Sequence, residues 1–356
     1  MSTVKYSLPR TALSENKLER RAKLDEYFPS GLIPFEKGDG DEWEVHTFEP
    51  IDPSYYVDPE LGKMLSRWQH PVNIESISHY YSIYKNCQLS FFDSWSLYYW
   101  SLVLNYLKSK DQKPSHITII HVDDHKDLYS PHLAQQNNEY QSIFSKAPFA
   151  LYSPSTVAEC IREKSVGIDS FITPLFFLDI SLSILHLQYS CQKESSCYLK
   201  LNTDSDPLFG PKNQRFKLSK TQNFSKGYYL NSADPEKILS QIHPEGILFL
   251  HIDCDGFSNR YNLDSSWSPE FVSIDMSLSQ IKHCIDLLFE GIKGHEQEKF
   301  MNIALSPGFF PSELWEITID YLLTKGEETK IINENGFSAY VNENKLYEFK
   351  YSKFSY

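Results

Sequence analysis

The sequence predicts an α/β protein with three layers, α/β/α, in which helices cover both faces of a mostly parallel sheet. Two apolar runs of strand length, residues 117–122 and 246–253, suit strands that are buried on both faces of such a sheet. Residues 95–108 have helical length and an apolar stripe, and they precede the first run as a crossover between parallel strands requires. An N-terminal extension and a C-terminal β-hairpin are expected to pack on this core.

The extension is expected to span residues 1–85, and the α/β domain residues 86–330. Within the extension, residues 12–28 predict a charged helix, and the sequence GDGDE at 38–42 predicts a turn.

The second half of the chain is less regular in its pattern. Residues 128–155, rich in Ser, Pro, Gln and Asn, predict a long loop at the carboxyl end of the sheet. Two helices are expected between residues 155 and 190, and strand fragments between 197 and 234. Residues 331–356 alternate in polarity, which predicts the hairpin, with Asn-Glu-Asn at its turn.

Composition and charge exclude several classes of function. The net charge of -13, without a basic block, argues against nucleic acid and anionic membranes as partners. The six cysteines form no CxxC pair, so neither a zinc knuckle nor a disulfide framework is predicted. The amino terminus lacks the apolar core of a signal peptide, and no apolar run reaches about eighteen residues. We therefore expect a soluble cytoplasmic protein, and homo-oligomerisation stays open.

Acidic and imidazole side chains follow both apolar strands. The first strand leads into Asp123, His125 and Asp127, and the second leads into Asp253 and Asp255. Since alternate residues of an extended backbone point to the same side, each motif can direct its ligands to one point. Burial of so much unpaired charge would be costly, so a cation is the expected partner. Carboxylates with one imidazole and no thiolate suit Mn²⁺ better than a structural Zn²⁺.

The number of ligands predicts a pair of ions. Four carboxylates and an imidazole exceed what one divalent ion needs, so two ions roughly 3.5 Å apart, with a bridging hydroxide as nucleophile, are expected. The alternative is that Asp123 and Asp253 are only turn or cap residues at strand ends, the usual role of an isolated aspartate.

The motifs DDHKD at residues 123–127 and DCDG at 253–256 resemble the two metal-binding motifs of the ureohydrolase superfamily, which has the arginase and histone-deacetylase fold. The longer phrases IIHVDDHKDL, FLHIDCDGF and ALSPGFFPSELW are similar to the branch that contains the peptide arginases. Those enzymes convert arginine side chains of ribosomal precursor peptides to ornithine and release urea. The resemblance covers roughly residues 88–325.

This resemblance implies roles for the motif residues. It assigns Asp123 and Asp253 as ligands that bridge the two ions. Asp127 would be a ligand of the first ion, and His125 and Asp255 would be ligands of the second. The family's remaining ligand is a histidine after the preceding strand, where this chain has Asp93 as the candidate substitute. The glutamate that holds the guanidinium in arginases is replaced here by Ser306-Pro307-Gly308. Asp124 is expected to be a solvated neighbour or a support of the site, not a ligand.

Several further residues are candidates for supporting roles. His132 is the candidate proton shuttle to the leaving amine, with a surface-loop role as an equal alternative. Glu313 and Glu316 are candidate contacts to the guanidinium, with helix capping and a solvated face as alternatives. His121 is expected to support the ligands more than to bind metal. His251 is expected to pack beneath the second motif.

The predicted function is Mn²⁺-dependent hydrolysis of arginine side chains in a peptide substrate, with two ions per chain. Three alternatives stay open. The first is a deacetylase-type amide hydrolase with a single ion at Asp123, His125 and Asp253. The second is an arginase or agmatinase that acts on a free small guanidine. The third is a binding module for a cationic peptide with a degenerate metal site.

Overall fold

The structure of the protein is a computed structural model. It describes residues 4–28, 32–48, 54–68, 72–136, 139–223, 225–264, 273–346 and 349–350. These residues form a mixed α/β structure with one small sheet and one large sheet. The predicted α/β class is therefore confirmed. None of the helices described is both long enough and apolar enough to span a lipid bilayer.

The amino-terminal part forms a three-stranded antiparallel sheet with helices beside it. Its elements are β1 (Val4–Pro9), α1 (Lys17–Tyr27), β2 (Ile33–Asp39), β3 (Glu42–Phe48), α2 (Ser54–Val57) and α3 (Leu61–Ser66). β3 lies between β1 and β2. Asn16 caps α1 by accepting hydrogen bonds from two backbone N–H groups of its first turn, and Gly40, with φ at +57°, forms the turn between β2 and β3. The helix predicted within residues 12–28 and the turn predicted at 38–42 are both confirmed.

The large sheet has a parallel centre and antiparallel margins. Its strands are β4 (Tyr81–Tyr84), β5 (Cys87–Ser90), β6 (His116–Val122), β7 (Leu133–Gln136), β8 (Glu139–Ser142), β9 (Pro148–Phe149), β10 (Ser181–Leu187), β11 (Ser195–Asp206), β12 (Gly210–Thr221), β13 (Gly227–Ser232), β14 (Ile247–Asp253), β15 (Glu298–Ala304) and β16 (Phe349–Lys350). Their order across the sheet is β16-β4-β5-β15-β14-β6-β10-β13-β11-β12-β7-β8-β9. The pairings from β5 through β13 are parallel, and those from β13 out to β9 are antiparallel. The parallel arrangement therefore holds for the centre, and the sheet as a whole is mixed.

Core side chains pack on both faces of this parallel centre. The helices beside the large sheet are α4 (Trp95–Ser109), α5 (Pro154–Arg162), α6 (Pro235–Ser240), α7 (Leu278–Lys293), α8 (Trp315–Glu328) and α9 (Gly336–Asn344). On β6, Ile117 and Ile119 belong to one hydrophobic cluster, with side chains of α4 and α5. Ile120 and Val122 belong to a second cluster, with side chains of α7 and α8. β6 and β14 are buried along their whole length, as the two apolar runs predicted.

The extension contacts the main sheet through aromatic side chains. Tyr6, Tyr27 and Phe28 share a hydrophobic cluster with Ala134 and Phe144 of the region after β6. The Tyr27 hydroxyl also donates a hydrogen bond of 2.8 Å to a carboxylate oxygen at the end of β11. The extension therefore covers the antiparallel margin of the large sheet.

Two predictions for the middle of the chain are wrong. Residues 128–155 contain the short strands β7, β8 and β9 in place of one long loop. The segment 155–190 contains a single α-helix, α5, followed by a 3-10 turn and then strand β10. A short apolar run fits a buried strand as well as a buried helix, and here the pairing of β10 between β6 and β13 decides for the strand.

The predicted carboxyl-terminal hairpin is also wrong. Residues 336–344 form helix α9, and its Asn335 cap makes reciprocal hydrogen bonds with Ser338. Phe337 and Val341, four residues apart, are buried in the cluster that contains α4. This spacing is helical, so tertiary packing selects the helix over the alternating pattern. β16 pairs in parallel with β4, and residues 351–356 lie outside the described part.

Candidate metal centre

The carboxyl ends of four neighbouring strands meet at one edge of the large sheet. β5, β15, β14 and β6 are consecutive and parallel, so the residues that follow them lie close together. Asp93 comes after β5, and Ser306 comes after β15. Val122 and Ile252 are register partners, which places Asp123 beside Asp253.

Six side chains at this edge are called here the acidic cluster: Asp93, Asp123, His125, Asp127, Asp253 and Asp255. Ligand atoms of Asp93, Asp123 and Asp253 all lie within 4.8 Å of one another. The same holds for Asp123, His125 and Asp255. The structure thus brings the two sequence motifs and Asp93 to one place, and Asp123 belongs to both groups.

Two similar turns direct the ligands of the acidic cluster. Asp123 Oδ1 accepts a 2.5 Å hydrogen bond from the backbone N–H of His125, and Asp253 Oδ1 accepts one of 3.2 Å from Asp255. These turns bring His125 Nδ1 to 3.0 Å from Asp255 Oδ2. The hydroxyl of Ser306 donates a 2.5 Å hydrogen bond to Asp253 Oδ2. Both bridging candidates are therefore turn residues as well, and the turn and the ligand interpretations are compatible.

Asp127 reaches the acidic cluster through an uncommon backbone conformation. Its φ is +49°, in the left-handed region, and its side chain is buried. Asp127 Oδ2 lies 3.4 Å from His121 Nε2, which is also 3.6 Å from Asp123 Oδ2. A positive φ at a residue other than glycine has an energetic cost, and such residues concentrate at functional sites.

Burial and mutual repulsion raise the pKa values of the cluster's carboxyl groups. Burial is the largest cause and neighbouring carboxylates add to it, so the pKa of Asp255 rises to about 6. The pKa values of the other four carboxyl groups rise well above the usual value: Asp93, Asp123, Asp127 and Asp253. Burial lowers the pKa of His125, but hydrogen bonds with Asp123 and Asp255 outweigh it and raise that pKa. A positive charge at this point would lower the carboxyl pKa values again.

The oxygen atoms at the centre of the cluster fit a metal ion. Asp93 Oδ1, Asp123 Oδ2 and Asp127 Oδ2 are buried and accept no hydrogen bond from any residue that the structure describes. Buried acceptors without a donor are costly, and one kind of partner, a cation, can satisfy all three. Five carboxylates and one imidazole, without a thiolate, form a donor set for a hard divalent ion. The residues present therefore fit a divalent metal.

Asp124 holds the loops around the cluster and is not part of it. Its carboxylate accepts hydrogen bonds from Ser190, Ser273 and Asn259. Burial raises the pKa of Asp124, but these hydrogen bonds outweigh burial and lower the pKa overall. Its backbone N–H donates to Asp255 Oδ1 at 3.3 Å. Asp124 is thus a charged junction between the two motifs and two neighbouring loops.

His132 lies away from the acidic cluster. Its Nε2 is 2.6 Å from the backbone oxygen of Tyr27, and its ring stacks on Phe144. Burial lowers the pKa of His132 to about 3. These contacts hold the ring against the extension, so His132 has no part in the mechanism proposed below.

Glu313 already has a guanidinium partner within the chain. Arg260 Nη1 donates to Glu313 Oε1 at 2.6 Å, and the same arginine also pairs with Asp275. Glu316 lies in the first turn of α8 and is half-buried. Arg260 follows the second motif and bonds through its backbone N–H to Phe309, whose ring lies 5.3 Å from the ring of His125. Glu313 therefore lies near the exposed side of the cluster.

Comparison with known proteins assigns no family to this chain. No family model matches it, and no curated protein has a significantly similar sequence.

Sequence reasoning missed two residues that contact the acidic cluster. The sequence marks Ser306, which hydrogen-bonds Asp253, only as part of the segment that lacks the arginase glutamate. The pattern of residues 155–190 predicts helices, so it does not align His186 with the two motif strands, although His186 lies on β10. A signal for His186 exists in the sequence, since IIHV, ILHL and FLHI place a histidine at the same point of three strands.

Proposed function

We propose that this chain is a metal-dependent hydrolase of guanidinium groups that acts on arginine side chains of a peptide. The observation that carries the proposal is the convergence of five buried carboxylates and one imidazole at the carboxyl ends of parallel strands. The proposal includes the three-layer arginase and deacetylase arrangement, which the helices packed on both faces of the parallel centre support.

Charge favours two ions over one. Five carboxylates carry five negative charges, of which two divalent ions compensate four and a single ion only two. A single ion would leave three buried carboxylates uncompensated, which is costly. One Mn²⁺ would be held by Asp93, Asp123, Asp127 and Asp253. The second would be held by His125 and Asp255, together with the two residues common to both ions, Asp123 and Asp253. Two bound ions supply Lewis acidity and a water of lowered pKa.

The residues of the chain have separate tasks in this proposal. Ser306 and the backbone N–H of Asp255 hold the Asp253 carboxylate in one orientation. His125, whose side chain is 42% exposed, lies on the accessible side, where Phe309 flanks it. The one negative charge that two ions leave uncompensated attracts a cationic guanidinium to the cluster.

A cleft beyond the first motif is large enough for a segment of a peptide substrate. It has a volume of about 970 Å³ and its lining includes Leu128, the residue after Asp127. Its lining also includes Asp25 and Glu26 of α1, His132, and the basic residues Arg21, Arg215 and Lys217. This volume is at the upper end of the range for ligand pockets, so the cleft has room for a peptide segment as well as for a small guanidine.

The test is incubation of Mn²⁺-loaded protein with an arginine-containing peptide. We expect each modified arginine to lose the mass difference between arginine and ornithine residues, together with release of urea. Asp253→Asn should abolish turnover, and Asp179→Asn is the matched control, since Asp179 has a 99% exposed side chain on the surface. Urea release from free arginine or agmatine but not from the peptide would favour an arginase or agmatinase. Removal of acetyl groups from acetyl-lysine peptides would favour a deacetylase-type amide hydrolase. Peptide binding without turnover would contradict the proposed enzymatic function and favour a peptide-binding module.

A further inference from the structure

Three histidines lie side by side on neighbouring strands, directly beneath the acidic cluster. His251 on β14 and His186 on β10 are both register partners of His121 on β6. All three side chains are completely buried. The rings of His121 and His186 have centroids 4.7 Å apart, and those of His121 and His251 are 5.0 Å apart. The three rings therefore form a continuous row across the parallel centre of the sheet.

The hydrogen bonds of His186 determine its tautomer. Its Nε2 lies 3.0 Å from the backbone oxygen of Asp123. A carbonyl oxygen only accepts, so Nε2 carries the proton and donates. The Nδ1 atom of the neutral ring is then an acceptor, and the hydroxyl of Tyr229 lies 2.8 Å from it as donor. Tyr229 thus holds His186 in the tautomer that can bond Asp123.

The same reasoning applies to His121. Its Nε2 lies 3.2 Å from the backbone oxygen of His125 and donates to it. Its Nδ1 then accepts from His251 Nδ1, which is 2.9 Å away. His121 and His251 also lie with Asp123 in a group whose ligand atoms are within 4.8 Å of one another. The two Nδ1 atoms are engaged with each other, so this group is better described as a hydrogen-bonded support than as a third metal site.

The two carbonyl groups that receive these hydrogen bonds lie where the sheet ladder ends. Beyond Val122, the backbone turns away from its neighbouring strands to form the DxH turn at residues 123–125. Buried carbonyl groups there need donors that the ladder no longer supplies. Rotation of either peptide group would change the direction of the Asp123 and His125 side chains.

We infer that His186 and His121 are positioning residues of the acidic cluster, each donating from Nε2 to a backbone carbonyl of the turn that carries Asp123 and His125. This inference rests on the metal site of the proposed function and is independent of the guanidinium reaction. Tyr229 and His251 act indirectly. Tyr229 fixes the tautomer of His186, and His251 fixes the tautomer of His121.

The first test compares two substitutions in the full chain, with Mn²⁺ alone as the probe. His186→Leu removes the donor, whereas His186→Gln retains an N–H group near the position of Nε2. We expect His186→Leu to weaken Mn²⁺ binding about 10- to 100-fold in calorimetric titration, the usual effect of losing an outer partner of a metal ligand. His186→Gln should restore most of the affinity. His116→Leu is the matched control, because His116 is also buried but bonds Ser183 at the opposite end of the strands.

Equal affinities of wild type and His186→Leu would overturn the inference, and so would equal losses in the Leu and Gln variants. Nitrogen NMR of ¹⁵N-histidine gives a second readout that needs no metal. We expect His186 and His121 to carry the proton on Nε2, and Tyr229→Phe to shift His186 toward the other tautomer. A proton on Nδ1 of His186 in the wild type would also overturn the inference. Wild-type protein with the expected tautomers but no Mn²⁺ binding would refute the proposed function and the positioning role together, and would leave only the hydrogen-bond assignment.

Discussion

Gly256 approaches the backbone of Asp123 so closely that a Cβ atom at position 256 would lie 2.8 Å from the amide nitrogen of Asp123. The Cα and carbonyl carbon of Asp123 would lie at 2.9 and 3.2 Å from the same atom. All three contacts are with backbone, which cannot rotate away as the end of a side chain can. The glycine of the second motif is thus the residue that allows the first motif to lie against it.

We therefore expect Gly256→Ala to separate the two motifs. Forced expansion at a packed contact costs roughly 1–3 kcal/mol of unfolding free energy, and Mn²⁺ affinity should fall as well because the ligands of the two motifs move apart. Thermal unfolding and Mn²⁺ titration measure the two effects. Gly294→Ala is the control, since a Cβ there meets nothing within 4 Å. Wild-type affinity in Gly256→Ala would contradict this account of the glycine.

Ser306→Ala should weaken metal binding without unfolding the protein. Its hydroxyl donates to Asp253 Oδ2, so the substitution leaves that oxygen free to rotate away from the cluster. We expect a loss of about 10-fold or more in Mn²⁺ affinity by titration. Ser101→Ala removes a comparable buried hydroxyl, which donates to the backbone oxygen of Leu151, and should leave the affinity unchanged. Equal affinities of the two variants would show that the hydroxyl of Ser306 does not orient the ligand.

The two strands that precede the metal-binding motifs could be predicted because a strand buried on both faces has a recognisable sequence pattern. β6 and β14 are buried at every position, so their apolar runs are continuous and end abruptly where polar ligands begin. Convergence of the ligands then follows from one rule, that neighbouring parallel strands present their carboxyl ends at the same edge. Asp93 is a candidate only through the resemblance to the ureohydrolase motifs, as the residue in the place of a histidine ligand.

His186 could not be placed because local pattern does not distinguish a buried strand from a buried helix. The run SLSILHL is short and apolar, and only its pairing between β6 and β13 makes it a strand. The prediction of a carboxyl-terminal hairpin was wrong although its local pattern was clear. Its residues alternate in polarity, but Phe337 and Val341 bury together on one helical face. In both cases contacts with distant residues override the local preference.

Because of the acidic cluster, metal-free protein should become less stable as pH rises. Burial, followed by repulsion from Asp123, raises the pKa of Asp255 from 3.8 to about 6. A carboxyl group with a raised pKa binds its proton more tightly in the folded state. The stabilisation that comes from protonated Asp255 is therefore fully present below its ordinary pKa of 3.8. This stabilisation is lost as pH rises through the pKa of the folded state, about 6. EDTA-treated protein should accordingly lose stability between about pH 4 and pH 6.

Thermal unfolding of EDTA-treated protein across this range measures the effect. Asp255→Asn has no titrating group at this position and should make the decline less steep, while Asp93, Asp123, Asp127 and Asp253, whose pKa values are also raised, still contribute to it. Saturating Mn²⁺ should reverse the trend, because metal binding requires deprotonated ligands and is favoured as pH rises. A metal-free protein that gains stability across this range would show that the cluster is not protonated in the folded state.

Glu313→Gln should leave turnover of a peptide substrate close to the wild-type value. The Glu313 carboxylate is already engaged by the Arg260 guanidinium at 2.6 Å, so it is not available to a substrate guanidinium unless that ion pair opens. Both side chains are partly exposed, and the loss of the pair should lower the unfolding free energy by less than about 1 kcal/mol. Steady-state kinetics of Glu313→Gln and Glu316→Gln with an arginine-containing peptide measure this. If Glu313→Gln raises KM at least tenfold while Glu316→Gln does not, the ion pair with Arg260 must open during binding, and Glu313 has the substrate-binding role that the sequence left as one of its alternatives.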